Sequence, residues 1–339
     1  MNSKNLPSVS IVLLNWNRWN FTLACLESLF RLNYPHYSVI VCDNDSSDDS
    51  MHKLWEWAAG RQPAAQPPIA ELQCLVEPPV VKPITFRELS RNEAESLERR
   101  PPASLTLIQT GANLGFAGGC NVGVRHALAQ GVDYVWLLNN DTLATPDSLQ
   151  HLITHIQSHP EVGICGSTLL SLHRPSYVLA QGGGRLRRST GTTRHIGEGS
   201  FWPQPRQDVN SIEPQMDYVV GASMLVSRTF LETAGLMDDG YFLYYEELDW
   251  ASRLPSGMRL GYAPSSVIYH REGGTTGGIV RSHYYRSLIR FTWRHNRRAL
   301  PLVLARMALR VPEALLRRDW QEFGALLSLL RPRRFPRSG

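Results

Sequence analysis

The amino-acid sequence predicts an α/β fold in which a mostly parallel sheet is flanked by helices. The run from Ser8 to Leu14 is apolar on both faces, as expected of a strand buried inside a sheet. A helical spacing of apolar residues follows it, and the run from Tyr37 to Cys42 then predicts a second buried strand. A strand, a helix and a strand within about 35 residues form a unit whose parallel strands require a right-handed crossover.

The same alternation continues along the chain. The predicted elements are a strand at 105–110, a helix from about Gly119 to Gln130, a strand at 133–141, a helix after Pro146, a strand at 162–170, a strand at 217–227 and a helix closed by Gly235. Glycine and arginine are dense from Gln181 to Arg206, which predicts either a mobile loop over a site or a short antiparallel excursion.

Prolines interrupt the alternation between Gly60 and Pro102, and we interpret about 60–104 as an insertion. Its charged stretch, RELSRNEAESLERR, fits an exposed helix. Residues 1–280 are then predicted to form one domain, and residues 281–339 a basic, amphipathic helical extension.

Composition excludes several classes of protein. With 42% hydrophobic residues, the chain is neither disordered nor collagen-like. Its five cysteines are widely spaced and include no CxxC pair, so neither a disulfide framework nor a zinc site is indicated, and a reducing cytosol fits best. The apolar run near the N-terminus is too short for a signal peptide or a membrane span.

Charge is distributed unevenly. From Arg281 onward the sequence carries fourteen arginines, no lysine and three acidic residues, a net charge of +11, which leaves −6 for the rest. Such a tail binds phosphates, either of lipid headgroups or of nucleic acid. The sequence contains no nucleic-acid-binding module with base-stacking aromatic residues, so nucleic acid is not an expected partner.

Arginines and apolar residues of the tail recur at helical intervals. This favours a helix lying in the interface of an anionic membrane, and the alternative is a basic helix packed on the domain. The residues concerned are Arg286, Arg290, Arg294, Arg298, Leu302, Leu304, Met307 and Leu309.

Polar residues follow two predicted strands, at the sheet edge where parallel sheets bind ligands. Asp43 and Asn44 follow the second strand, where a carboxylate can accept hydrogen bonds from a nucleobase or a ribose, although the same residues suit a turn and a helix N-cap. Asn139, Asn140 and Asp141 follow the strand YVWLL. Their oxygens suit a divalent cation that holds a diphosphate, although turns use such triplets too.

A third cluster places Glu246, Glu247 and Asp249 within four residues, among tyrosine, leucine and tryptophan. Like charges in a partly apolar setting raise one another's pKa, so one carboxylate could take a proton from a sugar hydroxyl. The alternative is a solvated helix start, where the helix dipole favours acids. His270, after the apolar run SSVIY, is a candidate for a metal shell or a phosphate contact, although a single histidine is more often structural.

Six stretches in this order resemble glycosyltransferase family 2, specifically its bacterial rhamnosyltransferase-like branch. They lie between about Ser8 and Thr276 and read SIVLLNWN, VIVCDNDSSDDS, NLGFAGGCNVG, LLNNDT, GASMLVSRTFLETAGLMDDGYFLYYEELDWASRL and YAPSSVIYHREGGTT. The resemblance implies the GT-A fold, with a single Rossmann-like mixed sheet, and inversion of the anomeric centre. The glycine run of the third stretch fits neither phosphate-binding fingerprint, and we interpret it as close packing near the donor.

The resemblance also implies roles for individual residues. Asp141 would bind a divalent cation, Mg²⁺ or Mn²⁺, with His270 beside it and the diphosphate. Glu247 would be the general base, and Glu246 and Asp249 would position the acceptor and neighbouring side chains. The nucleotide pocket would be lined by Asn15, Asn17, Asp43, Asn44, Asn113, Asn139 and Asn140. Two positions depart from the commoner pattern, because Asn-Asn-Asp replaces Asp-x-Asp and the base is Glu rather than Asp.

These implications predict an inverting glycosyltransferase that moves a sugar from a nucleoside-diphosphate sugar to a hydroxyl of a glycan or lipid-linked acceptor, in cell-surface polysaccharide synthesis. The branch favours dTDP-rhamnose as the donor, and the tail favours the cytoplasmic face of the plasma membrane. Two alternatives stay open, an inactive GT-A-like carbohydrate-binding or scaffold protein and a sugar-nucleotide nucleotidyltransferase. The latter needs a glycine-rich loop with Lys or Arg after the first strand, where this chain reads NWNRWN.

Overall fold

The computed structural model describes residues 6–64, 66–96, 98–101, 103–203, 209–272 and 278–330. The strands among them are β1 Val9–Asn15, β2 Tyr37–Asp43, β3 Phe86–Ser90, β4 Leu105–Gln109, β5 Tyr134–Asn139, β6 Thr142–Ala144, β7 Val162–Ser171, β8 Val178–Gln181, β9 Gly183–Arg187, β10 Thr192–His195, β11 Tyr218–Val219, β12 Ser223–Ser227 and β13 Arg259–His270. The helices are α1 Trp19–Leu29, α2 Ser50–Ala58, α3 Arg91–Ala94, α4 Gly115–Gln130, α5 Ser148–Ser158, α6 Val209–Ile212, α7 Arg228–Ala234, α8 Glu246–Ala251, α9 Gly278–His295, α10 Leu300–Leu316 and α11 Trp320–Leu327.

Ten strands of the described residues form one mixed sheet in the order β3-β4-β2-β1-β5-β12-β7-β13-β6, with β8 paired to β7. β1 runs parallel to both β2 and β5, and the pairs β2–β4, β3–β4 and β7–β13 are also parallel. Within this sheet, β12, β6 and β8 run antiparallel to their neighbours. The predicted α/β fold, a mostly parallel sheet flanked by helices, is confirmed.

The carboxyl ends of β1, β2, β5 and β13, with the loops that follow them, form one edge of the sheet, which we call the rim. The register pairs Asn15 with Asp43 across β1 and β2, and Leu14 with Asn139 across β1 and β5. Chain order reverses at β1, because β2 lies on one side and β5 on the other, and such switch points form the ligand crevice of open α/β sheets. β13 ends at the same edge because β7, its parallel partner, shares the direction of β5.

The glycine run of α4 lets this helix pack closely on the sheet. A Cβ atom at Gly119 would lie 2.4 Å from Leu14 Cδ1, and one at Gly123 would lie 2.6 Å from Val12 Cγ1. Carbon atoms separate to about 3.5 Å or more at optimal contact, so a larger residue would push the helix off β1. The interpretation of this run as close packing is confirmed.

The segment interpreted as an insertion adds a strand to the sheet. β3 pairs in parallel with β4 at the end of the sheet, so the residues RELS belong to a strand and the helix expected over them was wrong. The backbone groups of β4 offer hydrogen bonds that outweigh the weak strand propensity of this charged sequence. Helix α3 is a single turn. It begins with a capping box, in which the side chains of Ser90 and Glu93 each bond the other residue's backbone N–H.

The glycine- and arginine-rich region forms antiparallel strands, which confirms the antiparallel alternative. β9 pairs with β10 and with β11 in a small second sheet. The predicted strand over 217–227 is divided in two, since β11 belongs to the small sheet while β12 lies between β5 and β7. α7 ends at Gly235, whose φ of 75° is left-handed, as predicted. Residues 204–206 lie outside the described residues.

The first helix of the basic tail, α9, packs on the domain. Its residues Tyr285 and Phe291 are buried, and its arginines Arg290 and Arg294 pair with Asp238. For α9, the alternative of a basic helix packed on the domain therefore holds. The arginine-rich residues from 331 onward lie outside the described residues.

The second helix of the tail, α10, buries a narrow face formed by Val303, Met307 and Ala314. Its exposed large apolar residues are Leu302, Leu304, Leu309, Leu315 and Leu316. Across the part of the chain that the structure describes, every helix is too short or too polar to cross a membrane.

The close approach of two segments at Gly115 can be tested by substitution. Gly115 has a φ of 74°, and a Cβ there would lie 2.3 Å from the carbonyl oxygen of Phe242, whereas Gly111 has a φ of 73° and open space around its Cβ position. We expect Gly115→Ala to lower the free energy of unfolding by about 2 kcal/mol more than Gly111→Ala, because both strain the backbone but only the first adds a clash. Denaturant unfolding measures the difference, and equal losses would contradict a tight contact.

Candidate active site

Asn15, at the end of β1, is fully buried and connects the strands on either side of it. Its Nδ2 donates to Asp43 Oδ1 at 2.7 Å and to Ser46 Oγ at 3.2 Å. Its Oδ1 accepts hydrogen bonds from Thr22 Oγ1 at 2.8 Å and from Asn140 Nδ2 at 3.3 Å. Asn15 therefore joins the end of β2 to the end of β5.

Asp43 and Asn44 are almost completely buried, at 4% and 2% exposed. Asp43 Oδ2 accepts a hydrogen bond from the backbone N–H of Ser46 at 3.0 Å. Asn44 Nδ2 donates to Asn113 Oδ1 at 3.0 Å. These bonds fix the loops that follow β2 and β4. Both side chains therefore support the rim from inside the protein rather than from its surface.

Asn17 lies in the left-handed region with a φ of 53°. Its Oδ1 accepts hydrogen bonds from the backbone N–H groups of Ser47 at 2.8 Å and Asp48 at 3.2 Å. The loop after β1 is thereby held against the loop after β2. On the other side of β1, Asn140 Nδ2 donates to Thr22 Oγ1 at 2.8 Å, which fixes the residue directly before Asp141.

Asp141 and His270 face each other at the rim. Asp141 Oδ1 lies 3.3 Å from His270 Nε2, with side chains 21% and 22% exposed, and Asn139 Nδ2 lies 3.3 Å from the same ring nitrogen. A carboxylate and an imidazole can serve as two ligands of a divalent cation that keeps further positions for diphosphate oxygens and water. Among the described residues, no group of three or more His, Cys, Asp and Glu could hold a metal ion by itself.

A cavity of about 300 Å³ opens beside Asp141. Its walls include Phe21, Leu143 and Arg271. The guanidinium group of Arg271 lies 4.3 Å from the centroid of the Phe21 ring, a cation–π contact. Arg271 therefore lies over the first turn of α1. It directly follows His270, one of the two candidate cation ligands.

Glu246 and Glu247 begin α8 and share a largely buried environment. Glu246 is 5% exposed, and the Oε2 atom of each carboxyl group is buried without a hydrogen-bond partner among the described residues. Burial raises the pKa of Glu247 to about 7. Burial and the neighbouring Glu247 raise the pKa of Glu246 well above its usual range. Near neutral pH, Glu246 therefore keeps its proton while Glu247 can accept one.

Asp249 lies in a different environment from the glutamate pair. It is fully buried, and its Oδ2 accepts from Arg253 Nε at 3.0 Å. Its Oδ1 lies 2.7 Å from His295 Nε2 and 3.3 Å from the hydroxyl group of Tyr241. Asp249 therefore ties α8 to neighbouring side chains, and its role toward the acceptor stays a prediction.

The segment before α8 contacts the start of α4. The backbone N–H of Phe116 donates to the carbonyl oxygen of Phe242 at 2.8 Å, at the point where Gly115 allows the close approach. Since α4 begins just after the loop that Asn44 and Asn113 fix, α8 is joined to the β2 and β4 side of the rim.

A second connection joins α8 to the β5 side of the rim. Helix α8 packs against β11, and burial and then the nearby Glu247 raise the pKa of Tyr218 in this strand. A few residues further on, the carbonyl oxygen of Ala222 accepts from the backbone N–H of Asn139 at 3.1 Å. Helix α8 is thus joined to both halves of the rim through neighbouring segments of the chain.

Three residues of the site were missed by sequence reasoning, namely Thr22, Ser46 and Arg271. Ser46 lies inside the acidic stretch after β2 and Arg271 directly follows His270, so their positions held a signal. Thr22 had none, because a threonine inside a helix has no pattern that marks it as a partner of Asn15 and Asn140.

The fold is the GT-A fold that the resemblance predicted. The structure is similar to that of the mannosyltransferase PcManGT from Pyrobaculum calidifontis in complex with GDP-Man and Mn²⁺, with a TM-score of 0.52 and 16% sequence identity, covering 96% of this chain and 86% of that one. The sequence profile of Glycosyl transferase family 2 matches residues 10–65 and 89–180. Over these residues the chain follows the sequence pattern of this family.

Curated relatives agree with this assignment. The N-acetylglucosaminyl-diphospho-decaprenol L-rhamnosyltransferase of Mycobacterium tuberculosis is 26% identical over 231 residues, which are 63% of this chain and 74% of the relative. The low-salt glycan biosynthesis hexosyltransferase Agl10 of Haloferax volcanii is 28% identical over 147 residues, 43% of this chain and 45% of the relative. The predicted resemblance to rhamnosyltransferases of family 2 is confirmed, and the protein is a glycosyltransferase.

The roles of the two glutamates can be separated by amide substitution. We expect Glu247→Gln to lower kcat by about 10²- to 10⁴-fold, because an amide cannot accept the proton. Glu246→Gln should keep kcat within about fivefold near pH 7, because glutamine has the shape of the neutral carboxyl group that burial favours there.

The pH dependence gives an independent check on the same pair. Wild-type kcat should fall as pH decreases through about 7, since Glu247 is then protonated before the acceptor arrives. A Glu246→Gln variant as damaged as Glu247→Gln would mean that Glu246 acts in its ionised form, and would contradict this assignment.

Proposed function

We propose that this protein is an inverting glycosyltransferase in which Glu247 is the general base. The observation that carries the proposal is the buried glutamate pair with unpaired oxygens at the start of α8, a helix that neighbouring segments join to the rim bearing Asp141 and His270. An unpaired buried carboxylate oxygen is costly in a structural role, whereas a base needs a free oxygen for the proton it accepts. This argues against the scaffold alternative.

The proposed reaction is a single displacement. The acceptor hydroxyl oxygen forms a bond to the anomeric carbon while the bond from that carbon to the diphosphate oxygen breaks. Glu247 accepts the hydroxyl proton, and the nucleoside diphosphate leaves. Since the attack comes from the face opposite the leaving group, the anomeric configuration inverts.

Asp141 and His270 are the residues that we propose to hold a divalent cation, Mn²⁺ or Mg²⁺. They fit it, because a carboxylate oxygen and an imidazole nitrogen already face each other 3.3 Å apart and remain partly exposed. A bound cation there would neutralise charge on the departing diphosphate. The Asn-Asn-Asp sequence leaves Asp141 as the single carboxylate of this set.

For the nucleotide, we propose a pocket formed by the loops after β1, β2 and β4. Asn15 and Asp43 support these loops from beneath, and Asn17, Asn44 and Asn113 tie the loops to one another. Ordered loops with backbone groups directed outward can recognise a base and a ribose without induced movement. Asn139 and Asn140 would hold the diphosphate end of the same pocket.

The donor and the acceptor are proposed from the relatives. The name of the Mycobacterium tuberculosis relative specifies rhamnose transfer to a lipid-linked N-acetylglucosaminyl diphosphate. We therefore propose dTDP-rhamnose as the donor and a lipid-linked glycan as the acceptor, in cell-surface polysaccharide synthesis at the cytoplasmic face of the membrane.

A donor panel tests this function. The protein is incubated with several nucleoside-diphosphate sugars, an N-acetylglucosaminyl-diphospho-lipid acceptor and Mn²⁺ or Mg²⁺, and nucleoside diphosphate release is measured. We expect release with dTDP-rhamnose and a loss with Asp141→Asn, and NMR of the product should show the anomeric configuration opposite to that of the donor. A retained configuration would contradict the role of Glu247, and no release with any donor would favour the inactive alternative.

We also propose that α10 and the start of α11 dock on an anionic membrane. Leu309, Leu316 and Trp320 are 72%, 86% and 65% exposed, and Arg317 and Arg318 lie between them in the sequence. Apolar side chains beside arginines complement the acyl boundary and the phosphates of an anionic bilayer. Such a surface lies in the membrane interface, where a lipid-linked acceptor is also found.

Vesicle co-sedimentation tests the membrane proposal. We expect Leu309→Ser combined with Leu316→Ser to weaken binding to phosphatidylglycerol-rich vesicles about tenfold or more, because two exposed leucines lose their burial in the acyl boundary. Val81→Ser, at an apolar residue 92% exposed on the insertion, is the matched control and should bind as the wild type does. Unchanged vesicle binding of the double variant would assign this surface to something other than lipid.

A further inference from the structure

The turn that leads into α8 has an unusual backbone conformation. Tyr244 and Tyr245, the two residues directly before the glutamate pair, have φ values of 68° and 69°. Bulky side chains rarely adopt the left-handed region, and two such residues in succession persist only where the surroundings hold them. The direction of Glu247 therefore depends on whatever fixes this turn.

Helix α9 supplies much of what fixes the turn. The hydroxyl group of Tyr245 donates to the carbonyl oxygen of Gly191 at 2.8 Å and lies 3.3 Å from the hydroxyl group of Tyr284. The Tyr245 ring packs against those of Tyr284 and Phe291, with centroids 5.6 and 5.5 Å apart. Ser287 Oγ donates to the carbonyl oxygen of Leu243 at 2.9 Å, just before the turn.

The same helix holds α8 from its other side. Asp249 is fully buried and lies 2.7 Å from His295 Nε2, near the end of α9. Arg253, just after the end of α8, donates from its Nε to Asp249 Oδ2 at 3.0 Å. The beginning and the middle of α8 are thus both attached to one helix of the basic tail.

We propose that α9 is a positioning element of the active site, in which Tyr284 acts through Tyr245 and His295 acts through Asp249 to fix the direction of Glu247. This inference rests on the proposed function, since it takes Glu247 as the base. The basic tail then has two parts with separate tasks. Helix α9 belongs to the catalytic unit, and α10 provides the membrane-facing surface.

Steady-state kinetics of single substitutions test the inference. We expect Tyr284→Phe and His295→Leu each to lower kcat about fivefold to twentyfold while the KM for the donor changes less than twofold, because the donor site keeps its geometry and the base loses its alignment. His295→Gln should restore kcat to within about twofold, because its amide nitrogen can donate to Asp249 from a similar position. Trp293→Ala, at a residue 55% exposed on the same helix, is the control and should behave as the wild type.

The outcomes separate this inference from the proposed function. If Glu247→Gln is inactive while Tyr284→Phe and His295→Leu keep wild-type kcat, the positioning role is overturned and the base assignment stands. If Glu247→Gln keeps its turnover, the base assignment itself fails. A parallel rise in the KM for the donor, or equal losses in His295→Gln and His295→Leu, would also overturn the positioning role. Should His295→Leu not fold, Tyr284→Phe decides alone, because it retains the ring contacts.

Discussion

The arrangement of the whole site depends on one buried amide. Asn15 uses both of its polar atoms, so that Asp43 and Ser46 are bonded on one side and Thr22 and Asn140 on the other. A buried amide must satisfy its donors and its acceptor, and here the partners lie at the end of β2 and in the loop after it, directly after β5, and in α1. The hydrogen bonds of this one side chain thereby set the spacing between the β2 side and the β5 side of the rim.

Electrostatics then separates the acidic residues into different tasks. Asp43 and Asp249 are buried with hydrogen-bond donors around them, and they stabilise loops and helices. Glu246 and Glu247 are buried with unpaired oxygens, and burial raises the pKa of both. The presence or absence of donors, rather than the residue type, decides which carboxylate supports the structure and which is available for proton transfer.

Elements with strong apolar periodicity could be predicted from the sequence, and the ends of β1, β2 and β5 lie within two residues of those expected. β3 could not be predicted, because FRELS is polar and becomes a strand through pairing with β4. In the site, the residue types followed from the resemblance to family 2. The surroundings of Asp249 could not be predicted from the resemblance. They depend on His295, which lies 46 residues later in a segment outside the resemblance.

The position of β3 has a consequence for how the molecule behaves in a crowded solution. Without it, the sheet would end on β4, whose sequence LTLIQ is apolar and whose free backbone groups would offer a template to another chain. β3 covers that edge with five residues that include Arg87 and Glu88. Because short, charged strands resist further strand addition, this segment protects the fold against edge-to-edge aggregation.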